Sequence, residues 1–448
     1  MKNVKIVPFV LGLISLVAFQ SCWNLARVNP PCPTISKISP DGGRFNDTIT
    51  VTGTGFLKGL PKLYTVAING VDIPQDNILS VPNEQTLIFK VPKGGSNGQL
   101  TVRIKDATDC QSSQGVAFNY YFTATKVSVF FGIQVQGFGT CATLAAPNTL
   151  FQPAGLDVDN AGNVAIADKL NQRIRVVAPS VSDPTEKGNL TKTFGKSSCS
   201  TGCDSLPTIS PVFNLPNDVD FDQSNDLYVM EESGNATMRV IRASNLVEIF
   251  VGKCSTPVLN PPDAPRTTAR LQTPIGVYKD GNDIYFTDAG HIRKIDVNGM
   301  VTSFVAKVAN TEYRGIEVSK ARENQNQGPI FVTDALGKSI KFFSFSKGQG
   351  QGTVPIRNSN IAFNRPIAMA IDSKGNIFVA DESANRVFVI YPNGELAVLA
   401  GTGTPGFTDG LGSQAQFNKP SGIAIDESRK IVYVSDALNN VVRSIKIE

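Results

Sequence analysis

The chain has 448 residues, of which 41% are hydrophobic and 18% charged, which is length for about three domains and too apolar for a disordered polyelectrolyte. Its 42 basic and 38 acidic residues leave +4, and with Lys2 and Lys5 in a segment expected to be removed, a mature charge of about +2 is no footprint for nucleic acid. A single histidine, His291, excludes sites that need two histidines from one chain.

Lys2 and Lys5 precede an almost wholly apolar run, Ile6 to Phe19, and Gln20-Ser21-Cys22 follows directly. That run is shorter than the roughly 20 residues that span a bilayer. Residues 1–21 therefore read as an export signal. Ser21 before Cys22 resembles the lipobox of bacterial lipoproteins, although Phe19 stands where that family usually has Leu. The resemblance implies an acylated Cys22, a lipid anchor and an outer-membrane location, on the cell surface or facing the periplasm. Residues 22–33 form a tether. Six further cysteines remain, Cys32, Cys110, Cys141, Cys199, Cys203 and Cys254. An even number in an exported chain favours disulfides, with about 15 pairings open. The last four fall in loops entering the first three copies of the repeat described below, where a staple of adjacent inserts is geometrically possible, which leaves Cys32 and Cys110 for each other.

Residues 34–122 alternate apolar and polar positions between Pro and Gly turns, as in Thr48-Ile49-Thr50-Val51-Thr52 and Leu100-Thr101-Val102-Arg103-Ile104. Short strands with one dry and one wet face argue a small β-sandwich. Ile38-Ser39-Pro40, Gly42-Gly43 and Thr52-Gly53-Thr54-Gly55-Phe56 resemble the IPT/TIG family of immunoglobulin-like domains, which implies a spacer or binding platform.

Residues 126–448 repeat. Pro153, Pro216, Pro274, Pro366 and Pro420 each lead, about 15 positions on, to Asp168, Glu231, Asp288, Asp381 and Asp436. A degenerate copy runs from Arg314 to Asp334. Four short strands per period of about 50 residues indicate propeller blades rather than a helical solenoid. Pro-x-Gly-Ile, Val-Ala-Asp, Asn-Arg-Val and Ala-Gly-Thr-Gly are similar to the NHL repeat family, and six copies imply a six-bladed β-propeller. The expected fold is all-β, a sandwich followed by a propeller. The last copy has three strands, ending in Val441 to Ile447, while Lys126 to Gly132 precedes the first copy unpartnered; pairing the two would close the ring.

Gly401-Thr402-Gly403-Thr404-Pro405-Gly406 fits a dinucleotide fingerprint, but no helix follows it. Asp157 to Asn163 resembles a calcium loop, yet its counterparts at Asp280 and Asp372 read as hairpin turns. The recurring acids read as structural acceptors of backbone N–H groups in the loop to the third strand. No catalytic set, metal site or cofactor is expected. The loops joining the second and third strands place Asn171, Arg173, Glu232, His291, Asn385 and Asn439 on one rim, with inserts 195–215 and 252–273 rising from the same end, so this rim is the expected ligand face. The expectation is a non-enzymatic binding or scaffolding lipoprotein, with a glycan or peptide ligand or another outer-membrane uptake protein as partner. The alternative is a metal-dependent lyase or lactonase-like propeller.

Overall fold

The computed structural model describes residues 32–448 apart from 94–96, 106–109, 111, 113–114, 134–147, 184, 186, 196–206, 210, 233–235, 254–257, 320–329, 345–350 and 358–360. The chain divides into two units, the first ending at Tyr121 and the second beginning at Phe122.

In the first unit, strand Thr48–Thr54 buries Ile49 and Val51 and turns its threonines outward, as a period-two pattern requires. It lies between Thr34–Ser39 and Thr86–Lys90, with Ile78–Asn83 beyond. A second sheet runs Gly42–Gly43, Val116–Tyr120, Gly98–Ile104, Tyr64–Ile68, Val71–Asp72. Ile49, Val51, Leu87 and Phe89 pack with Val66, Leu100, Val102 and Phe118 in one core. Cys32 and Cys110 form the expected disulfide, their Cα atoms 4.9 Å apart. Cys22, Cys141, Cys199, Cys203 and Cys254 lie outside the described residues.

Among the described residues the second unit is a ring of six sheets. Their first strands, Pro153–Val158, Pro216–Phe221, Pro274–Asp280, Tyr313–Val318, Pro366–Ile371 and Pro420–Asp426, line the axis and touch in sequence around it. The second strands are buried along their whole length, as in Val164–Asp168, Ile377–Asp381 and Ile431–Asp436, because blades cover them from both sides. The recurring Pro-x-Gly has a steric cause. A Cβ on Gly276 would lie 2.3 Å from the Arg314 carbonyl oxygen, and one on Gly422 2.1 Å from that of Ala154, so neighbouring inner strands could not approach as they do.

The ring closes by strand exchange. Ala124–Gly132 pairs antiparallel with Val441–Ile447, with Val127 opposite Ile445 and Val129 opposite Arg443, and becomes the fourth strand of blade six. Phe130 packs against Tyr433, with ring centroids 4.5 Å apart and the planes tilted by 55°, and joins a core shared with Leu156 and Ile166 of blade one. The blade five to six connection covers the other edge of this strand: the Val127 N–H donates to the Gly410 carbonyl at 2.6 Å and the Gly410 N–H returns a bond at 3.0 Å.

Candidate functional site

The recurring acids stand at the ends of the second strands with at most 1% of their surface exposed: Asp168, Glu231, Asp288, Asp334, Asp381 and Asp436. Each accepts backbone N–H groups from the loop that enters its own blade, which corrects the expectation that in every copy the donors lie in the loop to the third strand. Asp168 takes Phe151 at 2.8 Å, Glu231 takes Asn214 at 2.6 Å, Asp381 takes Asn364 and Arg365 at 2.6 and 2.8 Å, and Asp436 takes Asn418 at 2.7 Å. Asp334 and Asp381 also accept from the loop to the third strand, through Gly337 and Ala384. Third-strand arginines stand beside the acid, as with Arg175 at 3.0 Å from Asp168, Arg293 at 3.6 Å from Asp288 and Arg443 at 3.1 Å from Asp436. Burial nevertheless raises Asp168 and Asp288, and raises Asp436 to about 6. These arginines, with the equally buried Arg239, were missed in the sequence, where a charge inside an apolar third strand was the available signal.

The six residues expected on one open rim divide. Asn171 and Asn439 are turned inward, their amides donating to Asp168 at 2.9 Å and Asp436 at 2.8 Å, and Asn385 accepts from the Lys419 N–H at 3.0 Å. These asparagines stand in the expected rim loops but are only 4%, 4% and 7% exposed, because closing the loop requires their polar groups underneath it. Arg173 is buried as well. Glu232 and His291 are half-buried and reach the surface. Glu232 pairs with Lys169, while His291 accepts the Lys307 N–H on Nδ1 at 3.2 Å. Burial holds its imidazole below the usual histidine range. The described parts of the two inserts run along blade sides. Thr208 pairs with Val247, Ala264–Pro265 adds a fifth strand to blade three beside Met300 and Val301, and Phe213 and Leu271 enter inter-blade cores. Their apolar residues direct them there.

The calcium-like loop is a hairpin turn. Asp159 accepts Ala161 and Asn163 N–H groups at 2.9 and 2.8 Å, and Asp372 repeats this with Lys374 and Asn376 at 3.0 and 2.7 Å.

A cavity of about 410 Å³ lies along the axis, lined by the inner strands of all six blades. At the end carrying the loops between second and third strands, its mouth bears ion pairs. Lys169 bonds Asn217 at 2.9 Å and pairs with Glu232, and Arg365 joins Glu312 at 2.7 Å and Glu382 at 2.8 Å. Deeper, Asp157, Asp218, Asp220 and Glu317 converge from three strands. Three of them brace neighbouring blades: Asp157 accepts the Phe221 N–H at 2.7 Å, Asp218 that of Val277 at 2.9 Å and Asp220 that of Lys279 at 2.6 Å. Burial, reinforced by mutual repulsion, raises all four: Asp157 and Asp218 to about 7, Asp220 and Glu317 well above the usual range. The sequence signal was a charge at positions where other copies have Gly or Ala, such as Ala370 and Ala424 opposite Asp157.

This geometry defines an all-β chain in which an immunoglobulin-like sandwich precedes a β-propeller with an acid-lined axis. Residues 33–120 match the IPT/TIG domain and residues 363–390 the NHL repeat. The chain is 34% identical over 84 residues to NHL repeat-containing protein 2 of Bos taurus, a match covering 18% of this chain and 11% of that protein. Among solved structures it is similar to a protein of unknown function from Bacteroides thetaiotaomicron, at 16% identity and a TM-score of 0.53 over 94% of this chain and 99% of that one. An auxiliary nutrient binding protein from the same organism matches at 16% identity and a TM-score of 0.51, over 94% and 98%. At such identities the likeness is one of fold.

Proposed function

We propose that the protein is a non-enzymatic binding lipoprotein, anchored in the outer membrane through an acylated Cys22, that captures a glycan or peptide at the axial mouth for an uptake partner. The observation that carries this reading is the axial cavity, whose charged mouth opens between Lys169, Arg314 and Glu382 on a rigid ring, with Glu232 paired to Lys169. A similarly built protein described as an auxiliary nutrient binding protein is consistent with it. In this reading Glu232 and His291 meet the ligand, while Asn171, Arg173, Asn385 and Asn439 hold the loops from beneath. The anchor is tested by fractionation: Cys22→Ala releases the chain from membranes, and equal membrane fractions for both forms would refute anchoring. The binding role is tested by screening oligosaccharides and peptides, where hits weaken in Glu232→Ala. Stoichiometric calcium or zinc in purified protein, together with turnover of a lactone, would replace the reading with a metal-dependent lyase or lactonase.

A further inference from the structure

Among the described residues the axial carboxylates differ from Asp168, Asp288 and Asp436 at the blade ends, each of which has an arginine beside it. Among the described residues none of Asp157, Asp218, Asp220 and Glu317 forms an ion pair; the ion pairs of Lys169, Arg314 and Arg365 join acids at the mouth. Asp220 is 8% exposed, lines the cavity and has one oxygen engaged by the Lys279 N–H. Glu317 faces the same space with neither a hydrogen bond nor an ion pair among the described residues. Lys279 turns away, its ammonium bonded to the Gly281 carbonyl at the hairpin end. Unpaired charge in a confined space is costly and is relieved either by protonation or by a cation from outside.

The opposite wall is chemically different. The inner strands of blades five and six present Ala368, Ala370, Ile371, Ala424 and Ile425 to the same cavity. Along blade two, Asp218 and Asp220 are two residues apart, about 7 Å in an extended strand. Among the described residues no group of three or more histidine, cysteine or acidic side chains is arranged to hold a metal ion. A ligand matching this space has more than one positive group, spaced on a short hydrocarbon stem that lies against the alanine wall.

We propose that the axial cavity is a binding site for a small organic polycation, an alkyl amine with two or more ammonium groups. The proposal rests on the binding reading above only in placing a ligand in the axial cavity, and assigns the acid-lined depth of that cavity a ligand class of its own. The groups that titrate or carry charge towards the site are Asp157, Asp218, Asp220, Tyr278, Lys279 and Glu317, with Asp159, Asp280, Asp372, Asp426, Glu427 and Arg429 at the hairpin end, where Arg429 pairs with Asp426. Binding therefore strengthens as the four carboxyls ionise.

The test is calorimetric titration of the full mature chain with spermidine, calcium and a neutral oligosaccharide, at low salt and at about pH 8 and about pH 5.5. Saturable spermidine binding is expected at the higher pH, weaker by roughly tenfold or more at the lower pH and in either Glu317→Gln or Asp220→Asn. Both variants preserve side-chain shape, and unfolding temperatures at or above wild type at the higher pH confirm that they fold. Absence of saturable spermidine binding, spermidine binding indifferent to both substitutions, or calcium binding as tightly through the same residues would overturn the proposal. If the oligosaccharide binds and Glu232→Ala abolishes that binding while spermidine does not bind, the polycation falls and the binding reading stands. If none of the probes binds, both fall.

Discussion

Arg443 has no exposed surface, and its guanidinium is held by Asp436, Asp409 and the carbonyls of Thr408 and Gln416 between the rings of Phe407 and Phe417. Breaking such a pair from one side strands the remaining charge, which typically costs about 3–5 kcal/mol. Asp436→Ala is therefore expected to lower unfolding free energy by that amount in urea titration, and Asp436→Asn with Arg443→Met by less. A loss near 0.5 kcal/mol, the size of a surface change, would show the pair to be incidental. The acid's structural role was legible because it recurs in every copy. The arginine's was not: Ile174-Arg175-Val176 reads equally well as a strand with one wet face, and what buries Arg443 is a distant loop whose Phe407 and Phe417 no local pattern links to it. The asparagines failed for a related reason, since a polar residue in a turn looks the same from the sequence whether it faces water or closes the loop from below.

At the level of strands the sequence was more informative, because period-two alternation and a recurring Pro-x-Gly are local signals with direct geometric consequences. Closure was legible by counting: a blade one strand short at Val441–Ile447 and a spare strand at the other end of the propeller. Removing Ala124–Gly132 is expected to lower the unfolding temperature of the whole ring, and hydrogen exchange would then find Val441–Ile447 as an unprotected edge. The milder Phe130→Ala removes a ring with no exposed surface from the seam between blades six and one, at about 3–5 kcal/mol. An unchanged transition in either variant would mean that the ring does not depend on this strand. The cover supplied by Gly410 was not legible, since it rests on two backbone bonds that leave no mark in composition. In the sandwich, Cys32 and Cys110 close a loop across 78 positions. Cys110→Ser is expected to cost about 4 kcal/mol by the chain-entropy argument. The exchange rates of the Ile49 and Val51 amides, unchanged in the variant, would contradict this.

For the molecule as a whole, the buried carboxyls set the response to pH. Asp157 and Asp218 are raised to about 7 and Asp436 to about 6, and Asp168, Asp220, Asp288, Glu317 and Asp372 are raised as well, in each case chiefly by burial. In the other direction, hydrogen bonds from Thr185 lower Asp183 to about 2, and Asp426 and Glu312 are lowered by their hydroxyl and arginine partners, against burial. A carboxyl raised on folding contributes stability that is fully present below its unfolded value, about 4, and is lost as pH rises through its folded value. A lowered carboxyl contributes in the opposite sense, losing its share as pH falls towards about 2. The raised groups are more numerous and more deeply buried, so stability should be greatest near about pH 4 and decline towards about pH 8. A tenfold change in a carboxylate's affinity for its proton corresponds to about 1.4 kcal/mol, but water in the axial cavity screens these groups, so the net decline is on the order of 1–3 kcal/mol. Scanning calorimetry at fixed ionic strength should show a lower unfolding temperature at the higher pH. The combined Asp220→Asn and Glu317→Gln variant should flatten the slope, because it removes the two groups raised well above the usual range. An unfolding temperature that is level or rises over this interval would mean that the axial carboxyls are already compensated in the folded protein, and a slope unchanged in the variant would place its origin at the blade ends instead.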